Sequence, residues 1–131
     1  MVRSAWDSIG VPTDGGIDAV KRGLPIQHLE EFLKKTQLPR AAVLDVLRLT
    51  ASDVEGKVRL TQEESERLWR LASIYQKSLG LFEDDAEQTI QWLHAPQKAL
   101  GDVSPLKHIV TEPGAAQVQE LIGRIEYGVL S

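Results

Sequence analysis

Few side chains in these 131 residues are of types that do chemistry, and they are not grouped as chemistry requires. His28, His94 and His108 stand in separate segments with no HxxxH or HxxE pair, the spacings that set metal ligands on one helix face. Each reads as a partly exposed helix residue. Glu63/Glu64 and Asp84/Asp85 are adjacent pairs at helix starts, where capping and the helix dipole account for them; general acid–base work needs carboxylates converging in a cleft. The absence of cysteine excludes disulfides and thiolate metal sites and agrees with a reducing compartment. There is no glycine-rich phosphate loop and no nucleophile elbow. The expectation is a protein without catalytic residues, metal or cofactor, whose chemistry is recognition.

One candidate recognition set is basic. Pro25 opens a helix with Ile26, Leu29, Phe32 and Leu33 on one face, ending around Thr36. The three-residue turn Gln37-Leu38-Pro39 leads into a second helix with Ala42, Val43, Val46 and Leu47 inward. Two short amphipathic helices joined so tightly suggest a helix-turn-helix, whose second helix meets phosphates and base edges in the major groove. Arg40 holds the favourable early position and Arg48 can reach a phosphate, while Ala41 and Leu44 stand where base readers belong. The candidate DNA-contacting set is therefore Lys35, Arg40, Ala41, Leu44 and Arg48. Asp45 would face a polyanion, so a helix-turn-helix kept for dimerisation or scaffolding is the alternative.

The other set lies at the C-terminal end. Leu100-Gly101 is a turn in which glycine can take the left-handed conformation, and Ser104-Pro105 is a cap followed by proline, starting a short helix near Pro105. Thr111 is a further N-cap, with Glu112 in the first turn and Pro113 early enough to be tolerated. From there Ala115, Val118, Leu121, Ile122 and Ile125 recur at helical spacing, and Gly128 ends the helix. Val129-Leu130-Ser131 is an apolar tail. Tyr127 beside Gly128 serves packing or a partner surface, whereas Trp69, Tyr75, Phe82 and Trp92 read as core or helix-interface anchors.

The remaining elements follow the same period. Residues 1–13 read as a flexible arm, ordered only if Trp6 docks. Asp14 caps a short helix to about Arg22, stopped by Gly23. Ala51 to Leu60 is looser, a linker or a small two-stranded excursion at Lys57–Leu60. Thr61 and Glu64 form a capping box for the longest helix, in which Leu68, Leu71, Ala72, Tyr75 and Leu79 make the apolar stripe and which Gly80 terminates. Asp84 and Glu87 repeat that spacing before a helix with Ile90, Trp92 and Leu93 that runs to His94, ahead of Pro96. The fold class is all-α: an N-terminal helix-turn-helix bundle over residues 14–60, then a helical domain over residues 61–131.

Composition agrees. Hydrophobic residues make up 42% of the chain, enough for a core. No run has the length of a membrane span and no signal-peptide pattern opens the chain, so a cytoplasmic protein without membrane contact is expected. Residues 1–60 hold nine Lys/Arg against eight Asp/Glu, and residues 61–131 hold six against eleven. Only the first half could face nucleic acid, and then through clustering in a dimer.

From about Leu24 onward the order of segments is specific. Leu60-Thr61-Gln62-Glu63-Glu64-Ser65-Glu66-Arg67-Leu68 opens the long helix; Trp92-Leu93, Leu100-Gly101-Asp102-Val103-Ser104-Pro105-Leu106 and Gly123-Arg124-Ile125-Glu126-Tyr127-Gly128 follow. In these motifs the chain resembles the Xre/MbcA/ParS antitoxins, partners of RES-domain toxins. It departs at Ala95-Pro96-Gln97-Lys98, where the family often has Asn-Pro before Ala-Leu-Gly. The resemblance implies a RES-class toxin, similar to ADP-ribosyltransferases and NAD-depleting, whose active site is blocked by the C-terminal segment. It points to Leu100, Gly101, Arg124, Tyr127, Gly128, Val129, Leu130 and Ser131 as the toxin-binding set. It further implies a homodimer within a larger toxin–antitoxin complex that represses its own operon through operator DNA. A stand-alone helix-turn-helix regulator and a polar-localisation factor are the alternative readings.

Overall fold

Capped, amphipathic segments of the kind just described fold into helices in a computed structural model of the chain, which describes residues 5–11 and 15–128. In order they are α1 (Ala5–Ile9), α2 (Gly16–Arg22), α3 (Gln27–Thr36), α4 (Arg40–Leu47), α5 (Ala51–Val54), α6 (Gln62–Leu81), α7 (Ala86–His94), a 3₁₀ turn (Lys98–Leu100), α8 (Pro105–His108) and α9 (Glu112–Glu126). Among the described residues there is no strand, only two isolated antiparallel bridges, Pro25 with Arg59 and Gln97 with Val103. The fold is all-α. Two compact units divide between Ser73 and Ile74, inside α6, whereas the change in sequence character lies at 60/61.

In the first unit Leu24, Leu29, Phe32, Val43, Leu47, Leu60, Leu68 and Leu71 are fully withdrawn from water or nearly so. Residues near the N-terminus are tied to this core. His28 Nδ1 donates to the Ile9 carbonyl at 2.7 Å and Lys35 Nζ to the Asp7 carbonyl at 2.8 Å, holding α1 against α3. Trp6 docks, its ring centroid 5.6 Å from that of Trp69. Gly16 makes room for it, since a Cβ there would stand 2.9 Å from the Trp6 ring.

Several boundaries differ from the sequence reading, each for a local reason. The N-cap position of α2 is Gly15, at φ +82°; Asp14 lies outside the described residues. Helix α3 starts at Gln27 because Pro25 is occupied in its bridge, flanked by Leu60 N–H to the Leu24 carbonyl (2.8 Å) and Ile26 N–H to the Val58 carbonyl (2.9 Å). That pairing is the partner of the excursion at Lys57–Leu60. Inside the looser stretch, α5 carries a capping box of its own, Thr50 N–H to Asp53 (2.9 Å) and Asp53 N–H to Thr50 Oγ1 (3.0 Å). The box at α6 is present as read, Thr61 N–H to Glu64 at 2.9 Å and the return bond at 3.1 Å, with Lys57 3.3 Å from the same carboxylate.

Gly80 does not end α6. The helix passes through it to Leu81, and the reversal is made by Glu83 and Asp84, both at positive φ. Spending Asp84 on that turn moves the cap one residue, so Asp85 accepts from Gln88 N–H at 3.1 Å and starts α7.

The second unit buries Ile74, Tyr75, Leu79, Leu93, Leu106, Ile109, Val118 and Ile122. Phe82 and Trp92 pack at 6.4 Å. Ser104 caps α8 ahead of Pro105, and Thr111 caps α9 through Gly114 N–H at 3.1 Å. Gly114 has a reason beyond helix propensity: a Cβ there would meet the His108 carbonyl oxygen at 1.7 Å, so α8 and α9 touch backbone to backbone.

Candidate functional site

The end of α9 is built as a presented surface. Tyr127 takes the C-cap position, its N–H bonded to the Gly123 carbonyl at 3.0 Å, and Gly128 follows at φ +66° with its N–H on the Ile125 carbonyl. This geometry leaves the Tyr127 side chain 80% exposed. Ile125, placed inward by its spacing, is 37% exposed, because α9 has run past the core by its last turn. Val129, Leu130 and Ser131 lie outside the described residues.

Arg124 and Leu100 share one cleft. Together with Ala99, Gln117, Glu120 and Leu121 they line a shallow cleft of about 160 Å³. Leu100 and Leu121 are buried and supply its apolar floor, while Glu120 and Arg124 are paired on its rim, one turn apart on α9. Gly101, at φ +72°, makes the turn that brings the 3₁₀ segment there, and Asp102 N–H returns to the Gln97 carbonyl at 3.0 Å. Gln117 is also held, accepting from His108 Nε2 at 2.5 Å. Gln117, Glu120 and Ala99 are cleft residues that the sequence reading left out. The helical spacing 117–120–124 was the available signal for the first two.

On α3 and α4 the structure separates the proposed contacts. Leu44 is only 5% exposed and belongs to the core, which corrects its assignment as a base reader: α4 turns Val43, Leu44, Val46 and Leu47 inward. Ala41, Arg40, Asp45 and Arg48 remain on the surface. Arg40 is clamped by both oxygens of Glu30, at 3.0 and 2.9 Å, a bidentate pair that raises the pKa of its guanidinium. Lys35 lies 3.3 Å from Glu31 in addition to its bond with the Asp7 carbonyl. Arg48 closes α4 in the left-handed conformation. Among the described residues no group of three or more His, Cys, Asp or Glu could hold a metal ion, and no helix is long and apolar enough to cross a membrane.

Known proteins carry the same pattern. Residues 80–128 match the family described as the antitoxin Xre/MbcA/ParS C-terminal toxin-binding domain. An antitoxin Xre of Yersinia enterocolitica is 32% identical over 136 residues, covering 98% of this chain and 92% of the relative. An antitoxin Xre of Photorhabdus laumondii is 30% identical, covering 96% and 90%. A protein of a Sphingobium strain named as a Prs ADP-ribosylating antitoxin is 28% identical, covering 88% and 80%. With relatives aligned over nearly the whole of both chains, and with the matched C-terminal segment containing the cleft and the exposed Tyr127, this chain belongs to the Xre antitoxin family.

Proposed function

We propose that this antitoxin neutralises a RES-domain, NAD-depleting toxin by lodging its C-terminal segment in the toxin's active site, and that it catalyses nothing itself. The observation that carries the reading is the end of α9. Within or beside the family-matched residues 80–128, one cation (Arg124), one exposed aromatic (Tyr127) and a left-handed glycine precede the chain's last residues. A helix end of that make-up can enter a cleft with a single anchor side chain, and such anchors carry most of an interface's energy. Leu100 and Gly101, at the notch beside Arg124, would seat a second contact. The ADP-ribosylating chemistry in the name of the Sphingobium relative is in keeping with a toxin that acts on NAD.

The same reading assigns residues 14–60 to operator binding through Lys35, Arg40, Ala41 and Arg48, as a homodimer in a cytoplasmic toxin–antitoxin complex that represses its own operon. The charge of that half is near balance, so affinity would come from pairing two copies. Co-expression of the toxin with a chain lacking Tyr127 to Ser131 tests the main claim through growth and cellular NAD. Loss of protection, with the helical circular dichroism spectrum kept, is expected. Full protection by the shortened chain would place neutralisation elsewhere.

A further inference from the structure

The N-terminal unit holds a cleft of about 590 Å³ that neither recognition surface uses. Trp6, Ile17, Val20 and Trp69 form its apolar walls. Lys21, Glu66 and Arg70 stand around it, so cations outnumber anions two to one. Its volume falls in the range of small-molecule sites, which combine apolar walls with a few polar groups that fix orientation.

Two further observations point to an occupant. Ile17 leaves 68% of its surface in water at the edge of the cleft, although large aliphatic side chains elsewhere in this unit are mostly buried. The Trp69 indole N–H is closed off from solvent and has no hydrogen-bond partner among the described residues. A buried donor without an acceptor is costly, and native structures keep few of them. The Trp6 and Trp69 rings, 5.6 Å apart and tilted by 43°, both line the cleft, so a flat group entering it meets aromatic surface.

We propose that this cleft binds a small planar aromatic carboxylate, its ring against Trp6, Trp69 and Ile17 and its carboxylate toward Lys21. Displacement of the side chains that close off the Trp69 N–H would admit an oxygen of the ligand and give that donor its acceptor.

The probe is 1-naphthoate, titrated into the full chain while the three indole N–H resonances are followed by ¹H–¹⁵N NMR. Saturable shifts of Trp6 and Trp69, with Trp92 still, are expected. Ile17→Glu, at an exposed position, should weaken naphthoate binding by about tenfold or more at unchanged helix content, and Lys21→Gln should weaken naphthoate but not the uncharged 1-naphthalenemethanol. Unsaturable shifts, equal movement of Trp92, or unchanged affinity in Ile17→Glu would overturn the proposal. If Ile17→Glu instead lowers the mass seen by light scattering and leaves naphthoate binding alone, the cleft belongs to a second copy of the chain and the proposal falls.

Discussion

Tyr127 is the residue on which the proposed neutralisation leans most and the fold least. Being 80% exposed, it contributes little burial to the fold, so its replacement should leave stability unchanged and, under the proposed function, act on the toxin complex. Tyr127→Ala should weaken toxin binding by about 2 kcal/mol, roughly thirtyfold, when measured by calorimetry with the purified toxin, while the melting temperature stays put. Unchanged affinity would remove Tyr127 from the interface. Arg124 is read the same way with one adjustment. Its pair with Glu120 is an exposed i,i+4 contact, a type that contributes about 0.3–0.5 kcal/mol, so a larger loss of binding in Arg124→Ala belongs to the partner. At this scale the sequence was an incomplete guide. Arg124 and Leu100 could each be singled out, but their meeting in one cleft depends on the 3₁₀ turn packing beside α9, a tertiary fact. Leu44 failed in the opposite sense: the helical period did not say how wide the buried stripe of α4 is.

At the scale of elements, caps were readable because their donors and acceptors lie three residues apart. Thr61, Ser104 and Thr111 each hold the bond their spacing announced. Thr61→Ala should therefore cost about 1 kcal/mol in urea unfolding, and no loss would mean that the Glu64 arm of the box suffices alone. Where two local signals compete, the sequence reading slipped. Asp84 and Asp85 both qualify as caps, and only the consecutive left-handed turn at Glu83 and Asp84 decides between them. Gly80 resembled a helix stop, yet helix continuation carries Leu81 onward and glycine is merely tolerated there. The short α5 was missed because four residues show no period, although Thr50 and Asp53 carried the box spacing. Gly114 adds a constraint that no propensity scale contains. Gly114→Ala must push α8 away from α9, and a loss of about 1–3 kcal/mol is expected, against the gain of about 0.5–1 kcal/mol usual at an open helix position. Equal stability of the variant and the parent would contradict the backbone contact. Since α8 and α9 flank the cleft segment, the same variant should also lower protection against the toxin.

For the molecule as a whole, period and composition established an all-helical chain with a near-neutral first half and an acidic second half. They could not show that Lys35 and Arg40, on α3 and α4, are already engaged. That engagement changes the ion stoichiometry of any operator complex. A cation that meets a phosphate normally frees one condensed counterion from DNA, adding about 0.9 to the slope of log affinity against log salt. Arg40 carries its counter-ion within the chain, as the Glu30 carboxylate, and moving to a phosphate breaks that exposed pair. Salt weakens the pair being broken as well as the contact being made, so the two dependences partly offset. Operator binding by the parent chain should thus depend on salt more weakly than its count of phosphate contacts suggests, and Glu30→Gln should steepen the slope by up to about 0.9 per protomer, with tighter binding at low salt that disappears as salt rises. Parallel slopes for the two proteins would mean that Arg40 meets no phosphate in either, and that repression, where it occurs, reads DNA without it.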